Sequence, residues 1–155
     1  MPDPDGLLIG DAVRLSFLIV LLAIAFVDLR QRLVYWYVVG PAIAVALFLG
    51  PAGMVSGLTG LLATTSIFGA IYVVGRRLYP QREPLGLGDV GIAALLGAIA
   101  GFPLGLLALV VGSVAAGAMA AAALLTRRAR LDSYLPYGPG LCLGGIIALC
   151  LIPSA

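Results

Sequence analysis

Two aspartates stand out among the seven carboxylates of this 155-residue chain. Asp28 follows thirteen uncharged residues, Leu15 to Val27, and Asp89 stands in Gly86-Leu87-Gly88-Asp89 at the head of a second uncharged run. All nine basic residues are Arg; the chain has no Lys and no His. That removes Ser-His and Cys-His nucleophile pairs and His-based zinc sites. It also removes Schiff bases, Ser-Lys dyads and the P-loop lysine. Cys142 and Cys150 form no CxxC pair and are expected to be small core hydrophobes. Two aspartates on one face are then the only general acid/base pair the chain can build. Two close carboxylates cannot both ionise, so they share a proton. The ionised one takes a proton from water while the protonated one donates toward a substrate carbonyl.

Each aspartate also has an ordinary reading. Asp28 could pair with Arg30 or Arg32 in a loop, and Asp89 could be a helix N-cap before an apolar run. The other five carboxylates, Asp3, Asp5, Asp11, Glu83 and Asp132, read as solvated or locally paired surface charges; Asp11 has Arg14 three residues on.

The elements that must position the pair follow from composition. Hydrophobic residues make up 62% of the chain and charged residues 10%, against about 25% charged in soluble domains. The expected class is an all-α, polytopic integral membrane protein, a single membrane-embedded domain over 1–155 with about six spans. The spans are read as Leu7–Val27, Leu33–Leu49, Met54–Val74, Val90–Gly101, Leu106–Leu125 and Leu135–Ile152. Tyr35, Trp36 and Tyr37 look like an interfacial belt, and Pro41 is expected to kink the second span. Gly101-Phe102-Pro103-Leu104-Gly105 is the turn that divides the uncharged run. Eight of the nine Arg then fall in alternate links: Arg30 and Arg32; Arg76, Arg77 and Arg82; Arg127, Arg128 and Arg130. The positive-inside rule puts these links in the cytoplasm and both termini outside. Span four rises only ~18 Å against a ~30 Å hydrocarbon core, so Asp89 is expected at the floor of a cleft, where an ionisable residue is a functional hypothesis by default. Gly53-x-x-x-Gly57, Gly97-x-x-x-Gly101 and Gly101-x-x-x-Gly105 read as packing faces.

Gly86-Leu87-Gly88-Asp89 resembles the GxGD motif of intramembrane aspartyl proteases. Pro84 to Val90, with Ala93-Ala94-Leu95-Leu96-Gly97 after it, looks most like the type IV prepilin peptidases. Asp28-Leu29-Arg30 resembles that family's first aspartate motif, and Tyr134-Leu135-Pro136-Tyr137-Gly138-Pro139 is similar to its Pro-Phe-Gly-Pro segment. The resemblance implies an aspartic endopeptidase of the cytoplasmic (inner) membrane. Such an enzyme removes the leader peptide of type IV prepilin-like precursors beside their hydrophobic helix, on the cytoplasmic side. It implies Asp28 and Asp89 as the catalytic pair and Gly86 and Gly88 as supporting motif residues. It calls for no cofactor, metal or nucleic acid. Two departures stand out: Val34-Tyr35-Trp36 replaces the family's usual Ile-Pro-Asn, and Gly91 replaces the Lys after GxGDV. The cysteine-rich methylase insert of larger members is absent from the sequence, which implies cleavage without methylation. The competing readings are a non-enzymatic membrane scaffold or transporter subunit, which needs no carboxylate pair, and an inactive peptidase homologue.

Overall fold

In a computed structural model, residues 4–31, 34–79, 85–126 and 137–152 are described. They form six α-helices and no strand: α1 Pro4–Gln31, α2 Trp36–Leu49, α3 Met54–Leu78, α4 Leu87–Ala100, α5 Leu104–Leu125 and α6 Gly138–Leu151. The protein is an all-α membrane protein. Gly10–Gln31, Met54–Leu78 and Leu104–Leu125 are long and apolar enough to cross a membrane. The other three helices are 14 residues each. Arg32, Arg82, Arg127, Arg128, Arg130, Glu83, Asp132, Asp3, Leu33, Pro84 and Tyr134 to Pro136 lie outside the described residues.

Several helix limits differ from the expected spans, for local reasons. α1 runs past Val27 to Gln31 because no Gly or Pro interrupts Asp28-Leu29-Arg30-Gln31, and Arg30 suits a helix C-terminus. α2 begins at Trp36 rather than Leu33, since Tyr35 is extended; it continues unbroken through Pro41. The turn in the uncharged run stands where expected. α4 ends at Ala100 and is capped by Gly101, whose φ of +68° suits glycine, and α5 starts at Leu104. Pro139 lies in the first turn of α6, where its missing N–H costs nothing.

α4 is the centre of the molecule. Every residue from Asp89 to Ala100 is buried, as fits a helix that is apolar all round. It packs against α2, α3, α5 and α6, while α1 packs on α6. Glycines set the closest approaches. A Cβ at Gly57 would lie 2.8 Å from the Ala98 carbonyl oxygen, and one at Gly60 would strike Gly97 and Gly101. Thr64, fully buried against Gly97, donates its hydroxyl hydrogen to the Gly60 carbonyl at 3.0 Å. On the other side, Gly112 lies against Leu141 and Gly140 against Ala116. Away from these contacts α1 bares Leu15, Ile19, Leu22 and Phe26 on one stripe, the pattern of a lipid-facing surface.

These registers make α3 antiparallel to α4, and α5 antiparallel to α6. α2 and α4 are tied at their C-termini to α3 and α5 by short turns, Gly50–Gly53 and Gly101–Pro103. α3 has 25 residues against 14 in α4, and in this register its far end overtops the start of α4 by about 10 Å at 1.5 Å per residue. α5 likewise runs about 10 Å past the start of α6. Among the described helices, the N-termini of α4 and α6 therefore sit at the floor of a recess between the longer α3 and α5.

Candidate active site

Asp28 and Asp89 both stand at that floor. Asp28 is in the last turn of α1 and Asp89 in the first turn of α4. They are 5% and 4% exposed, and with Thr64 they are the buried polar side chains among the described residues. A solvated surface charge therefore does not describe Asp28. Arg30, two residues on, lays its guanidinium over the Phe26 ring at 4.9 Å.

Convergence of the two aspartates follows from one register. A Cβ at Gly145 of α6 would meet Leu96 of α4 and Leu21 of α1, the latter at 3.1 Å. Seven residues toward the recess lie Asp28 on α1, Asp89 on α4 and Gly138 on α6. Seven residues are two turns, about 10 Å, and bring a helix back to nearly the same face. The faces that meet at Leu21, Leu96 and Gly145 thus meet again at Asp28, Asp89 and Gly138. The contacts agree. A Cβ at Gly138 would lie 2.5 Å from Oδ2 of Asp28, and Asp28 is close enough to act electrostatically on Asp89. Cys142, one turn into α6 and fully buried, lies within electrostatic range of both.

Asp89 has a structural role as well. The expected span opened at Val90, but α4 starts at Leu87 with Gly86 as its N-cap, extended at φ −74°, ψ 145°. Asp89 is the third helical residue. Its Oδ2 accepts the Gly86 N–H at 3.2 Å, and its own N–H donates to the Gly86 carbonyl at 3.1 Å. This is the carboxylate half of a capping box. The N-cap reading is thereby corrected in position: Gly86 is the cap and Asp89 ties it.

The other motif glycine is a point of close approach. A Cβ at Gly88 would lie 2.6 Å from Cβ of Val34, so Gly88 lets the segment after α1 close over the start of α4. Gly91, buried, faces Trp36: a Cβ there would stand 3.2 Å from the indole Cη2 and 3.5 Å from Val39. The two departures from the family pattern, at 34–36 and at 91, thus touch each other. The Trp36 ring, half exposed, fills the space beside Gly91.

Sequence reasoning passed over the contacts of four of these residues. Gly138 stood within a quoted motif without a role, Cys142 read only as a core residue, Val34 only as a departure, and Trp36 as a departure and as part of an interfacial belt. None carries a one-residue signal, since each matters through a contact between helices. Cys150, expected in the core, is exposed, because it lies on the part of α6 turned away from its neighbours. Among the described residues no three His, Cys, Asp or Glu side chains are grouped so as to hold a metal ion.

The sequence model of the type IV leader peptidase family matches residues 15–121, most of the chain and both aspartates. No curated protein and no solved structure matches the chain. With the two buried aspartates in helices of the matched region, the chain belongs to the type IV leader peptidase family.

Proposed function

We propose that the protein is an intramembrane aspartyl endopeptidase. It removes the leader peptide of type IV prepilin-like precursors at the cytoplasmic face of the inner membrane, with Asp28 and Asp89 as its catalytic pair. The observation that carries this reading is the joint burial of Asp28 and Asp89 at the floor of one recess, on helix faces held in register by Leu21, Leu96 and Gly145. A scaffold has no use for two buried carboxylates near each other in an apolar bundle, where each costs free energy unless it does something. Arg30, Arg76 and Arg77 lie in the last turns of α1 and α3, at the recess end. That supports six crossings with the recess cytoplasmic and both termini outside.

The chemistry then uses the pair as a unit. One carboxylate takes a proton from a water held between them, and the water oxygen attacks the scissile carbonyl carbon. The partner gives its proton to the carbonyl oxygen, so the tetrahedral intermediate forms as a neutral gem-diol. Collapse returns a proton to the amide nitrogen as the C–N bond breaks. The products are a free leader carboxylate and the new amino terminus of the mature pilin.

The test is purified protein in liposomes with a precursor that carries a basic leader before a hydrophobic helix, read by product mass. Cleavage at the leader junction by the wild type, and none by Asp28→Asn or Asp89→Asn, is the expected result. Robust cleavage by either Asn variant would exclude the aspartyl mechanism. No cleavage by the wild type would favour the inactive homologue.

A further inference from the structure

We propose that Gly138 is a positioning residue for the dyad: the first turn of α6 is the wall against which the Asp28 carboxylate rests, and the lack of a side chain at 138 sets where that carboxylate stands. The inference rests on the peptidase reading for its catalytic half and on geometry alone for its structural half.

Three contacts carry it. A Cβ at Gly138 would lie 2.5 Å from Oδ2, 2.8 Å from Cγ and 3.2 Å from Cβ of Asp28. It would overlap the whole carboxyl group rather than graze it, so something must move. The first candidate to move is α6, but its opposite side is locked to α5. Gly140 lies against the Ala116 backbone, Gly144 against the Ala108 carbonyl and Gly112, and Leu141 against Gly112. These are backbone-to-backbone contacts, and α6 has no slack to retreat into them. The second candidate is α1, held two turns below by the buried Leu21 against Gly145. What remains is the Asp28 side chain, whose torsions are soft by comparison. A methyl group at 138 therefore turns the carboxyl group aside while leaving the helices in place.

The displacement needed to restore ordinary contact is on the order of 1 Å, and a misplacement of that size in a reacting group costs about 100-fold in rate. The loss falls on the chemical step, because the precursor's helix does not need the carboxylate for binding. Gly138 has no functional group and acts only through Asp28.

The experiment has an activity arm and an activity-independent arm. In the first, Gly138→Ala is compared with wild type and with Gly105→Ala. The latter places a Cβ 3.0 Å from Gly97 Cα in the α4–α5 contact, away from Asp28. The expected result for Gly138→Ala is a kcat lower by about 100-fold, with KM within about threefold and a displaced pH–rate profile. Gly105→Ala keeps the wild-type profile per folded molecule. In the second arm, solid-state NMR of the unsubstituted protein with labelled Asp and Gly looks for a short-range cross-peak between Asp28 Cγ and Gly138 Cα. Its presence is expected whatever the enzyme cleaves, and its absence overturns the proposal without any variant having to fold. A Gly138→Ala protein with wild-type kcat and pH profile also overturns it. So does one whose only loss is in the amount of folded protein. The cross-peak together with a wild type that cleaves no precursor would remove the peptidase reading and the catalytic half of the proposal, and leave the contact.

Discussion

Asp89 has one role in this structure and a second that is proposed for it, and substitution can separate them. Its carboxylate accepts the Gly86 N–H at 3.2 Å at the start of α4, and it is the proposed partner of Asp28. Asn keeps an oxygen in the same place, so Asp89→Asn retains an acceptor for the Gly86 N–H and should change stability little. Ala removes the acceptor. A Gly86 N–H left without it costs on the order of 1–3 kcal/mol if no water replaces it. Asp89→Ala should therefore be less stable than Asp89→Asn by about 1–3 kcal/mol. Activity divides differently. Both variants lose half of an inseparable pair, and each should fall by about 10⁴-fold or more, as completely as the Asp28→Asn/Asp89→Asn double change, because such effects are not additive. Asp89→Glu keeps the charge but adds a methylene at a site 4% exposed; it should fold less well and lose about 100-fold through misplacement. Stability is read by reversible unfolding in mixed micelles, and activity by leader removal per folded molecule. Asn as destabilising as Ala would refute the capping geometry, and Asn with near-normal cleavage would refute the dyad.

Four further outcomes are expected. Cleavage should fall on both sides of a pH optimum, because a coupled pair loses activity when both protons are present and when both are gone; a single sigmoid in kcat/KM would count against a shared proton. Gly97→Ala should destabilise by about 1–3 kcal/mol, since its Cβ meets the Thr64 hydroxyl and Gly60, while Gly69→Ala and Gly117→Ala, with open space around them, should be neutral or stabilising in the same unfolding assay. Gly91→Ala should be tolerated at 3.2 Å from the Trp36 ring, whereas Gly91→Lys should lose folded protein and recover it when combined with Trp36→Ala; no recovery would show that the two positions are independent. Cysteines placed at Ala52 and Ser133 should label from opposite sides of the membrane, and labelling of both from one side would overturn the proposed topology.

Much of this was legible because it is written locally. An excess of apolar residues needs no partner to be read, and the hairpin at Gly101–Pro103 announces itself by Gly and Pro. The glycines of α3, α4 and α5 read as packing faces, and Gly57, Gly97 and Gly105 do lie at helix contacts. Asp28 and Asp89 stood out as charges at the ends of uncharged runs, and both are buried. What was not legible depends on the relative height and rotation of helices far apart in sequence. Gly138 against Asp28, Trp36 over Gly91 and Val34 against Gly88 are all of this kind. A single sequence carries the period of each helix but not its register against another. The start of α4 was misplaced by three residues because the decisive interaction, a carboxylate reaching back to Gly86, is favourable only once the helix exists. Cys150 was misassigned because a 14-residue helix that is apolar on every side does not tell which side is lipid and which is core.

The layer of Asp28, Asp89 and Gly138 draws on three helices that are made at widely separated times. α1 carries Asp28, α4 follows some sixty residues later, and α6 supplies Gly138 about fifty residues after that. Chains fold largely in the order in which they are synthesised. When α1 to α3 have been inserted, Asp28 is present without Asp89. When α4 and α5 have joined, Asp89 is present, but the side of α4 that will face α6 is bare. Only the docking of α6 between α1 and α4, through Gly145 and Gly138, brings both carboxylates into one buried place. On the proposed mechanism a nascent or truncated chain is therefore proteolytically silent, and activity arises with completion of the fold rather than accumulating helix by helix.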